Sequence, residues 1–326
     1  MLNPIAPLED VAAPAVIPTI EKILVVVDPN AGTHPCIEKA ARLAARLGSA
    51  IELFICDAGE SPPESWAGTS KHAEYRELRR QQFAETLVEL AAPLRARGLI
   101  VTTACEQHTP LEQGIGEYVI RTKPDLVIKD TRRDRSPARG VFALTDWTLI
   151  NQIPSPLLLV RAEPWPAQPR IAVATDPCHT ADRPESLDER MLATGCLLAN
   201  ATGGTVEALH VLQTPPHLPG LPVPSIERAR AHGAAREAVE KVVTRASNLA
   251  TPMPIQFVEG NVAPGIVAYA TAHRPDLLII GAAARVRWIG SNAGGTAARI
   301  LEELPCDALI MKPRGFVSPL LTSDEA

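Results

Sequence analysis

The sequence predicts an α/β protein made of two copies of one domain, and three repeated segments support this prediction. Each segment in the first half of the chain returns 148 to 151 residues later, in the same order. The paired segments are Ile23–Pro29 and Ile171–Pro177, Arg121–Ile128 and Ala272–Ile279, and Ile153–Val160 and Leu304–Met311. The first pair ends in the same Asp-Pro dipeptide, with Asp28 in copy one and Asp176 in copy two. Three matches at nearly one spacing indicate a duplicated domain.

In the first copy, short β-branched runs alternate with segments of helical periodicity. Ile23–Val27 is predicted to be a buried strand, and the helix after it is predicted to end at Gly48. The other predicted strands are Ile51–Cys56, Leu99–Ala104, Leu126–Lys129 and Leu157–Val160. The other predicted helices are Lys71–Arg97, Leu111–Thr122 and Asp146–Gln152. Pro93 is expected to kink the long helix or end it early, because proline cannot donate a main-chain hydrogen bond.

The second copy repeats this alternation of strands and helices. After the run at Ile171, its predicted strands are Val206–Val211, Ile255–Glu259, Leu277–Gly281 and Ala308–Lys312. Its predicted helices are Ser186–Asn200, Glu227–Leu249, Pro264–His273 and Thr296–Leu304. Ser186 and Glu189 form a candidate capping box at the start of the first of these helices. Apolar strands that alternate with helices predict a parallel sheet covered on both faces.

A proline-rich segment separates the two copies. We predict a first domain over residues 1–162, a linker over residues 163–169 and a second domain over residues 170–326. Pro164, Pro166 and Pro169 keep the linker extended and fairly stiff. The length of 326 residues fits two domains, since domains usually have roughly 100–200 residues.

The composition favours a cytoplasmic protein with no nucleic-acid partner and no membrane insertion. A net charge of −5 opposes binding to polyanions, and an aromatic content of 4% leaves few side chains for base stacking. No apolar run approaches the roughly 20 residues that a membrane-spanning helix needs. The first 20 residues carry Glu9 and Asp10 but no Lys or Arg, unlike a secretory signal. The 6 cysteines include no CxxC pair, which predicts reduced thiols.

The predicted sheet indicates where a ligand would bind. In an open α/β sheet, ligands bind at the carboxyl ends of the strands, at the point where the strand order reverses. In each copy this place holds the aspartate after strand one and the loop after strand four. In copy two that loop runs from Gly281 to Thr296 and leads into a helix. Glycines before a helix N-terminus let main-chain N–H groups approach a phosphate, so this loop is a candidate phosphate site.

Three motifs carry a resemblance to a known family. They are Val27-Asp28-Pro29-Asn30, Thr145-Asp146-Trp147 and Pro164-Trp165-Pro166. With the loop of copy two, they resemble the universal stress protein family, most closely its tandem-domain UspE type, over essentially the whole chain. The resemblance implies two Rossmann-like, adenine nucleotide alpha hydrolase-like domains, each with a five-stranded parallel sheet of order 3-2-1-4-5. It also implies that Leu157–Val160 pairs with Ala308–Lys312, so that one chain imitates the usual homodimer. A further homodimer of the chain is left open.

ATP-binding members of this family carry Gly-x-x-Gly, nine residues, then Gly-Ser/Thr in the loop after strand four. This chain matches the first and third glycines, but Ala284 replaces the second glycine and Gly295 replaces the hydroxyl residue. The resemblance implies that ATP or another adenine nucleotide binds copy two, with Asp176 at the base or ribose. The predicted binding residues are Asp176, Val211 (through its backbone), Gly281, Ala284, Arg285, Gly294, Gly295 and Thr296. The alternative is a degenerate loop that serves only as a turn into the helix.

Copy one lacks this glycine frame, so we do not expect it to bind ATP. Its loop over residues 129–140 carries one Lys and four Arg against two Asp. Arginine binds phosphate bidentately, which would suit an anion site. A solvated loop with internal ion pairs is the favoured interpretation.

Three pairs of residues suggest zinc ligands, but the spacing is that of ordinary loop residues and no metal site is predicted. The pairs are His34 with Cys36, Cys105 with His108, and Cys178 with His179.

No enzyme signature was found in the sequence. GxSxG, HExxH and GxxxxGK[ST] motifs are all missing from it. The leading hypothesis is a cytoplasmic stress-response protein that binds a small-molecule ligand, an adenine nucleotide in copy two. The alternative is a non-nucleotide ligand-binding or interaction module whose ATP site is degenerate. A slow ATPase is the third hypothesis.

Overall fold

The computed structural model describes residues 18–59, 70–131, 144–178, 186–214, 224–247, 253–282 and 296–322. The first copy contains β1 (Lys22–Val26), α1 (Pro35–Leu47), β2 (Ala50–Asp57), α2 (Ser70–Ala96), β3 (Val101–Gln107), α3 (Leu111–Thr122), β4 (Leu126–Asp130), α4 (Leu144–Gln152) and β5 (Leu157–Val160). The second copy contains β6 (Arg170–Ala174), α5 (Ser186–Thr202), β7 (Thr205–Leu212), α6 (Ser225–Ser247), β8 (Ile255–Glu259), α7 (Val262–His273), β9 (Leu277–Gly281), α8 (Thr296–Glu303) and β10 (Asp307–Met311). A short helix, α9 (Pro319–Thr322), follows.

The strands form one 10-stranded sheet of order β3-β2-β1-β4-β5-β10-β9-β6-β7-β8. Each half has the predicted order 3-2-1-4-5, and all pairs within a half are parallel. The two halves meet at β5 and β10, which pair antiparallel with Leu158 opposite Leu309. The expected pairing of the fifth strands is therefore present. It joins the halves about a pseudo-twofold axis and leaves neither central edge open to another chain.

Two hydrophobic cores lie on opposite faces of this sheet, and each core spans both copies. Alternation along β1 divides its side chains, with Ile23 and Val25 in one core and Leu24 and Val26 in the other. Helices α1, α2, α5 and α6 cover the first core, and α3, α4, α7 and α8 cover the second. The predicted parallel sheet with both faces covered is therefore confirmed.

The long helix α2 does not end early at Pro93. It continues to Ala96, and the chain then turns at Gly98, which has a φ of +81°. Leu87 and Leu94 on this helix are buried, each with about 1% of its surface exposed. Burying two leucines is worth roughly 3–6 kcal/mol, which is comparable to the roughly 3 kcal/mol cost of an internal proline. Tertiary packing therefore keeps the last turn helical.

A buried ion pair joins the two copies next to the central strand pair. Lys39 Nζ of α1 lies 2.7 Å from Asp307 Oδ2 of β10, and the side chains are only 4% and 3% exposed. The Trp165 indole donates to the same oxygen at 2.7 Å. Arg42 of α1 donates to the linker carbonyls of Pro166 and Ala167, at 2.6 and 2.5 Å. The linker is thus held by both copies.

Candidate functional site

The sheet brings several predicted site residues of copy two to one edge. β6 lies between β7 and β9, all three strands are parallel, and their carboxyl ends face the same side. Asp176 follows β6 by two residues, Val211 lies at the end of β7 and Gly281 is the last residue of β9. Helix α8 begins at Thr296, after the same edge. Ala284, Arg285, Gly294, Gly295 and the Thr296 side chain fall outside the described residues.

The chain around Asp176 is held by hydrogen bonds from both sides. Its main-chain N–H donates to Asp188 Oδ1 at 3.2 Å, and Asp188 lies buried in the first turn of α5. The preceding residue, Thr175, donates its N–H to the carbonyl of Leu209 at 2.8 Å. Its own carbonyl lies 2.9 Å from Nδ1 of the buried His210. These contacts fix the backbone position from which the Asp176 side chain extends.

Val211, predicted to take part through its backbone, has a side chain that points away from solvent. Its side chain is buried, with 4% of its surface exposed, and it faces α7. A Cβ on Gly265 would lie 3.2 Å from both methyl carbons of Val211, so the glycine allows the helix to pack closely. The next residue, Leu212, is also buried.

Gly281 ends β9 where the chain turns toward the loop. It pairs with Met311, and the next residue, Ala282, donates its N–H to the Met311 carbonyl at 2.9 Å. Copy one makes the equivalent contact, because Thr131 N–H donates to Val160 O at 2.8 Å. Gly281 of copy two therefore corresponds to Asp130 of copy one.

The crevice of copy one is a cavity of about 570 Å³, lined by residues such as Asp28, Asp57, Arg79, Lys129 and Asp130. Arg79 of α2 forms a bidentate ion pair with Asp57, with Nη2–Oδ1 at 2.8 Å and Nε–Oδ2 at 3.1 Å. Burial alone would raise the pKa of Asp57. The hydrogen bonds and charge of Arg79 and the Gly59 N–H outweigh burial, and this pKa lies below its usual value.

A second carboxylate, that of Asp130, lies at the N-terminus of helix α1, where a phosphate could otherwise bind. Asp130 Oδ1 accepts the main-chain N–H of Cys36, in the first turn of α1, at 2.8 Å. A helix N-terminus favours an anion, and here the chain supplies its own. Burial raises the pKa of Asp130, and the hydrogen bonds from Cys36 offset this only in part.

The remaining cation of this crevice is also paired internally. Lys129 Nζ lies 2.7 Å from Oδ1 of Asp146, which is fully buried in the first turn of α4. Thr131 donates its hydroxyl to the other oxygen of Asp146 at 3.0 Å. Arg79 and Lys129, the two basic side chains among the described residues that line the cavity, are therefore each paired with a carboxylate of the protein itself.

Copy two has uncharged residues at each of these positions. The strand registers align Asp57 with Leu212, Lys129 with Ile280 and Asp130 with Gly281. Asp146 aligns with Ala297 at the 151-residue offset of the third repeat. Copy two thus lacks the ion pairs that occupy the crevice of copy one.

The candidate zinc ligands form no metal centre in the part of the chain that the structure describes, where no group of three suitable side chains occurs. Cys36 is buried, and burial raises the pKa of its thiol. His108 Nε2 lies 3.4 Å from a Glu117 oxygen. His179 lies outside the described residues, as do residues 132–140 of the Arg-rich loop.

Several residues at these sites were not singled out from the sequence. Asp57, Arg79, Asp188 and His210 all hold the ends of strands one and two in place. A histidine within the apolar run of β7 and an aspartate at the end of β2 were the available signals. Neither signal identifies a partner, because the partners come from other elements.

The family membership follows from a sequence profile described as the universal stress protein family, which matches residues 19–161 and again residues 169–312. The chain belongs to the universal stress protein family. Its two copies are tandem domains of that family, which confirms the resemblance drawn from the Asp-Pro and Pro-Trp-Pro motifs.

Curated relatives carry the same tandem arrangement over nearly the whole chain. Universal stress protein E of Salmonella typhi is 24% identical over 318 residues, which cover 94% of this chain and 98% of that protein. Universal stress protein E of Escherichia coli K12 is 23% identical over 312 residues, with coverage of 94% and 98%. This chain is therefore similar to universal stress proteins of the UspE type.

Solved structures with the same fold include two that match over most of their length. A Pseudomonas aeruginosa PAO1 protein described as functionally unknown is 23% identical, covers 95% of this chain and 99% of its own, and has a TM-score of 0.71. A universal stress protein from Archaeoglobus fulgidus is 13% identical, with coverage of 90% and 97% and a TM-score of 0.60. At these identities the likeness establishes the fold alone.

Among the helices that the structure describes, none is both long and apolar enough to cross a membrane.

Proposed function

We propose that this chain is a stress-response protein that binds one adenine nucleotide, in the crevice of copy two. The phosphates would lie against Gly281 and the N-terminus of α8, and Asp176 would bind the base or ribose. The observation that carries the proposal is the set of replacements at the edge of the sheet. Copy two has Leu212 and Gly281 where copy one has the acidic residues Asp57 and Asp130.

These replacements act on the two ends of a nucleotide in different ways. A carboxylate at position 281 would repel a phosphate, whereas glycine adds no charge and leaves the backbone accessible. Leu212 supplies an apolar side chain where copy one has a charged ion pair, and an aromatic base gains by leaving water against an apolar wall. The two changes favour a ligand with an anionic end and an apolar end.

Helix α8 supports the phosphate end of the proposal. It begins at Thr296 with no acidic residue in its first turn. The equivalent turn of α4 carries Asp146, which is bound to Lys129. The positive end of the α8 dipole would therefore favour an external anion.

Calorimetric titration of ATP into the purified chain tests this proposal. We expect one site per chain, weakened at least tenfold in Asp176→Ala, because the carboxylate would lose a hydrogen bond to the ligand. Asp28→Ala removes the equivalent carboxylate of copy one and is the matched control, which should bind ATP as the parent does. No heat of binding at millimolar ATP, or an equal loss in both variants, would contradict the proposal.

A second candidate function is the binding of a non-nucleotide ligand in copy one. The cavity there has a volume of about 570 Å³, within the range of small-molecule sites. Its acidic groups Asp28 and Asp130 favour a neutral polar or cationic ligand over a phosphate. Catalysis is not part of the proposal, and ATP turnover above a protein-free blank would revive the slow-ATPase hypothesis. The cytoplasmic location stays a prediction from composition.

A further inference from the structure

The pseudo-twofold axis of the sheet generates two related cavities beside the central strands. One has a volume of about 360 Å³ and is lined in part by Lys123, Asp125, Pro156, Arg190 and Arg314. The other has a volume of about 410 Å³. It is lined by the residues that lie 151 positions away from Lys123, Asp125, Pro156 and Arg314. Those residues are Arg274, Asp276, Asp307 and Glu163. The cavity at Arg190 includes Met311, which pairs with Gly281, so it lies beside the crevice of copy two, but Asp176, Val211 and Gly281 do not line it.

Charged side chains around the cavity at Asp307 are paired with one another. Lys39 is buried in the ion pair with Asp307. Asp307 also accepts the Arg161 main-chain N–H at 2.8 Å. Glu163 also lines this cavity, and its carboxylate lies 3.5 Å from Arg161 Nε.

The cavity at Arg190 lacks both of these acids. Pro156 takes the place of Asp307, and Arg314 takes the place of Glu163. Arg190 Nη1 donates to the Lys312 carbonyl at 3.0 Å, just as Lys39 Nζ donates to the Arg161 carbonyl at 3.1 Å. The main-chain contact is therefore retained by symmetry, while the carboxylate partner is lost.

The remaining charges do not compensate for this loss. Among the described residues that line this cavity, Asp125 is the single acidic one, and its Oδ2 accepts the main-chain N–H groups of Glu21 and Lys22, each at 2.9 Å. Within the described part of the chain, Arg190 forms no ion pair and Arg314, which is exposed, forms none either. Burial and the charge of Arg314 lower the pKa of Arg190, but a guanidinium stays charged in proteins.

The opposite wall of the cavity is apolar. Leu198 of α5 and Leu309 and Met311 of β10 line it, and all three are buried. A pair of guanidinium groups matches a phosphate or a carboxylate, since each can donate two parallel hydrogen bonds. A volume near 360 Å³ is sufficient for a small ligand.

We propose that this cavity is a second binding site, specific for a small organic anion. Arg190 and Arg314 hold the phosphate or carboxylate group, and Leu198, Leu309 and Met311 contact the apolar body. The site would couple the ligand to the joint between the domains, because Arg190 lies on α5 and contacts the end of β10. The Lys39–Asp307 pair occupies the related position on the other side.

Calorimetric titrations with phenyl phosphate and with benzoate test the proposal on the full chain, with phenol as the neutral probe. We expect one site for at least one of the two anions and none for phenol. The tighter of the two anions identifies the acidic group. Arg314→Glu restores the residue type of Glu163, and it should weaken binding at least tenfold. Arg314 is exposed, so this change does not threaten folding.

Two further variants make the result decisive. Arg274→Glu reverses an exposed charge in the related cavity and should bind the anion as the parent does. Arg190→Gln should lose binding, with a melting curve to verify that the variant is folded. The proposal is overturned if neither anion binds at millimolar concentration, or if binding survives Arg314→Glu. Because ATP binding in copy two does not involve Arg314, the ATP titration fails or succeeds independently of this test.

Discussion

The two crevices of this chain occupy equivalent places in one sheet, yet their polar groups are arranged differently. In copy one, Arg79 pairs with Asp57 and Lys129 pairs with Asp146. In copy two, the equivalent positions of both acids and of Lys129 carry uncharged residues. A duplicated scaffold can therefore keep its strands and helices while one site becomes occupied by its own ion pairs. Under the proposed function, charge pairing is the difference that decides which copy accepts an anionic ligand.

The largest expected effect is on stability, at the buried pair of copy one. Asp146→Ala should lower the free energy of unfolding by about 3 kcal/mol, because it leaves the Lys129 ammonium without its partner in a buried place. Urea denaturation of the variant and the parent measures the difference.

A double variant serves as the control for this prediction. Lys129→Ile with Asp146→Ala installs the residues of copy two, Ile280 and Ala297, and removes both charges together. It should be more stable than Asp146→Ala alone, since replacing a buried pair by apolar groups is often nearly neutral. Equal stability of the two variants would contradict the claim that the unpaired ammonium causes the loss.

The second effect concerns ligand binding at the end of β9. Gly281→Asp gives copy two the residue of copy one, and the added carboxylate should repel phosphate and weaken ATP binding at least tenfold. The exchange in the opposite direction, Asp130→Gly, should not create an ATP site in copy one, because the other ion pairs remain. Calorimetry of both variants tests the comparison, and unchanged affinity in Gly281→Asp would count against it.

The smallest effect is the pH dependence of the Asp57–Arg79 pair. The pKa of Asp57 is lower in the folded chain than its ordinary value near 4, so its contribution to stability is present above about pH 4. It is lost as the pH falls through the lower, folded-state pKa. Asp57→Asn should therefore cost about 1 kcal/mol at pH 6 and less at pH 3. Urea midpoints at the two pH values measure this, and a cost that does not shrink at pH 3 would refute it.

Much of the fold was predictable because its signals are local or repeated. The β-branched run at Ile23 and its repeat at Ile171 mark buried strands, and both are found as β1 and β6. Pro93 was expected to kink α2 or end it early, and the helix does not end there, because the burial of Leu94 comes from tertiary packing that no local pattern reveals.

The site was less predictable because its contacts join distant residues. Gly281 and Asp176 were predicted from motif and position, but the pair of Lys39 with Asp307 spans 268 residues and leaves no local pattern. Arg79 reaches Asp57 only because α2 packs beside β3 and turns that face of the helix toward the crevice. The repeat allows such differences to be located once the register is known. Only the structure shows which charged side chains contact each other.

Native mass spectrometry of the folded chain with ATP tests the central claim most directly, since it counts bound nucleotides. Our account predicts one ATP for each chain at saturation, because copy two can accept the phosphates and copy one is occupied by its own ion pairs. Two bound nucleotides would contradict the asymmetry between the crevices, and none at millimolar ATP would contradict the proposed function itself.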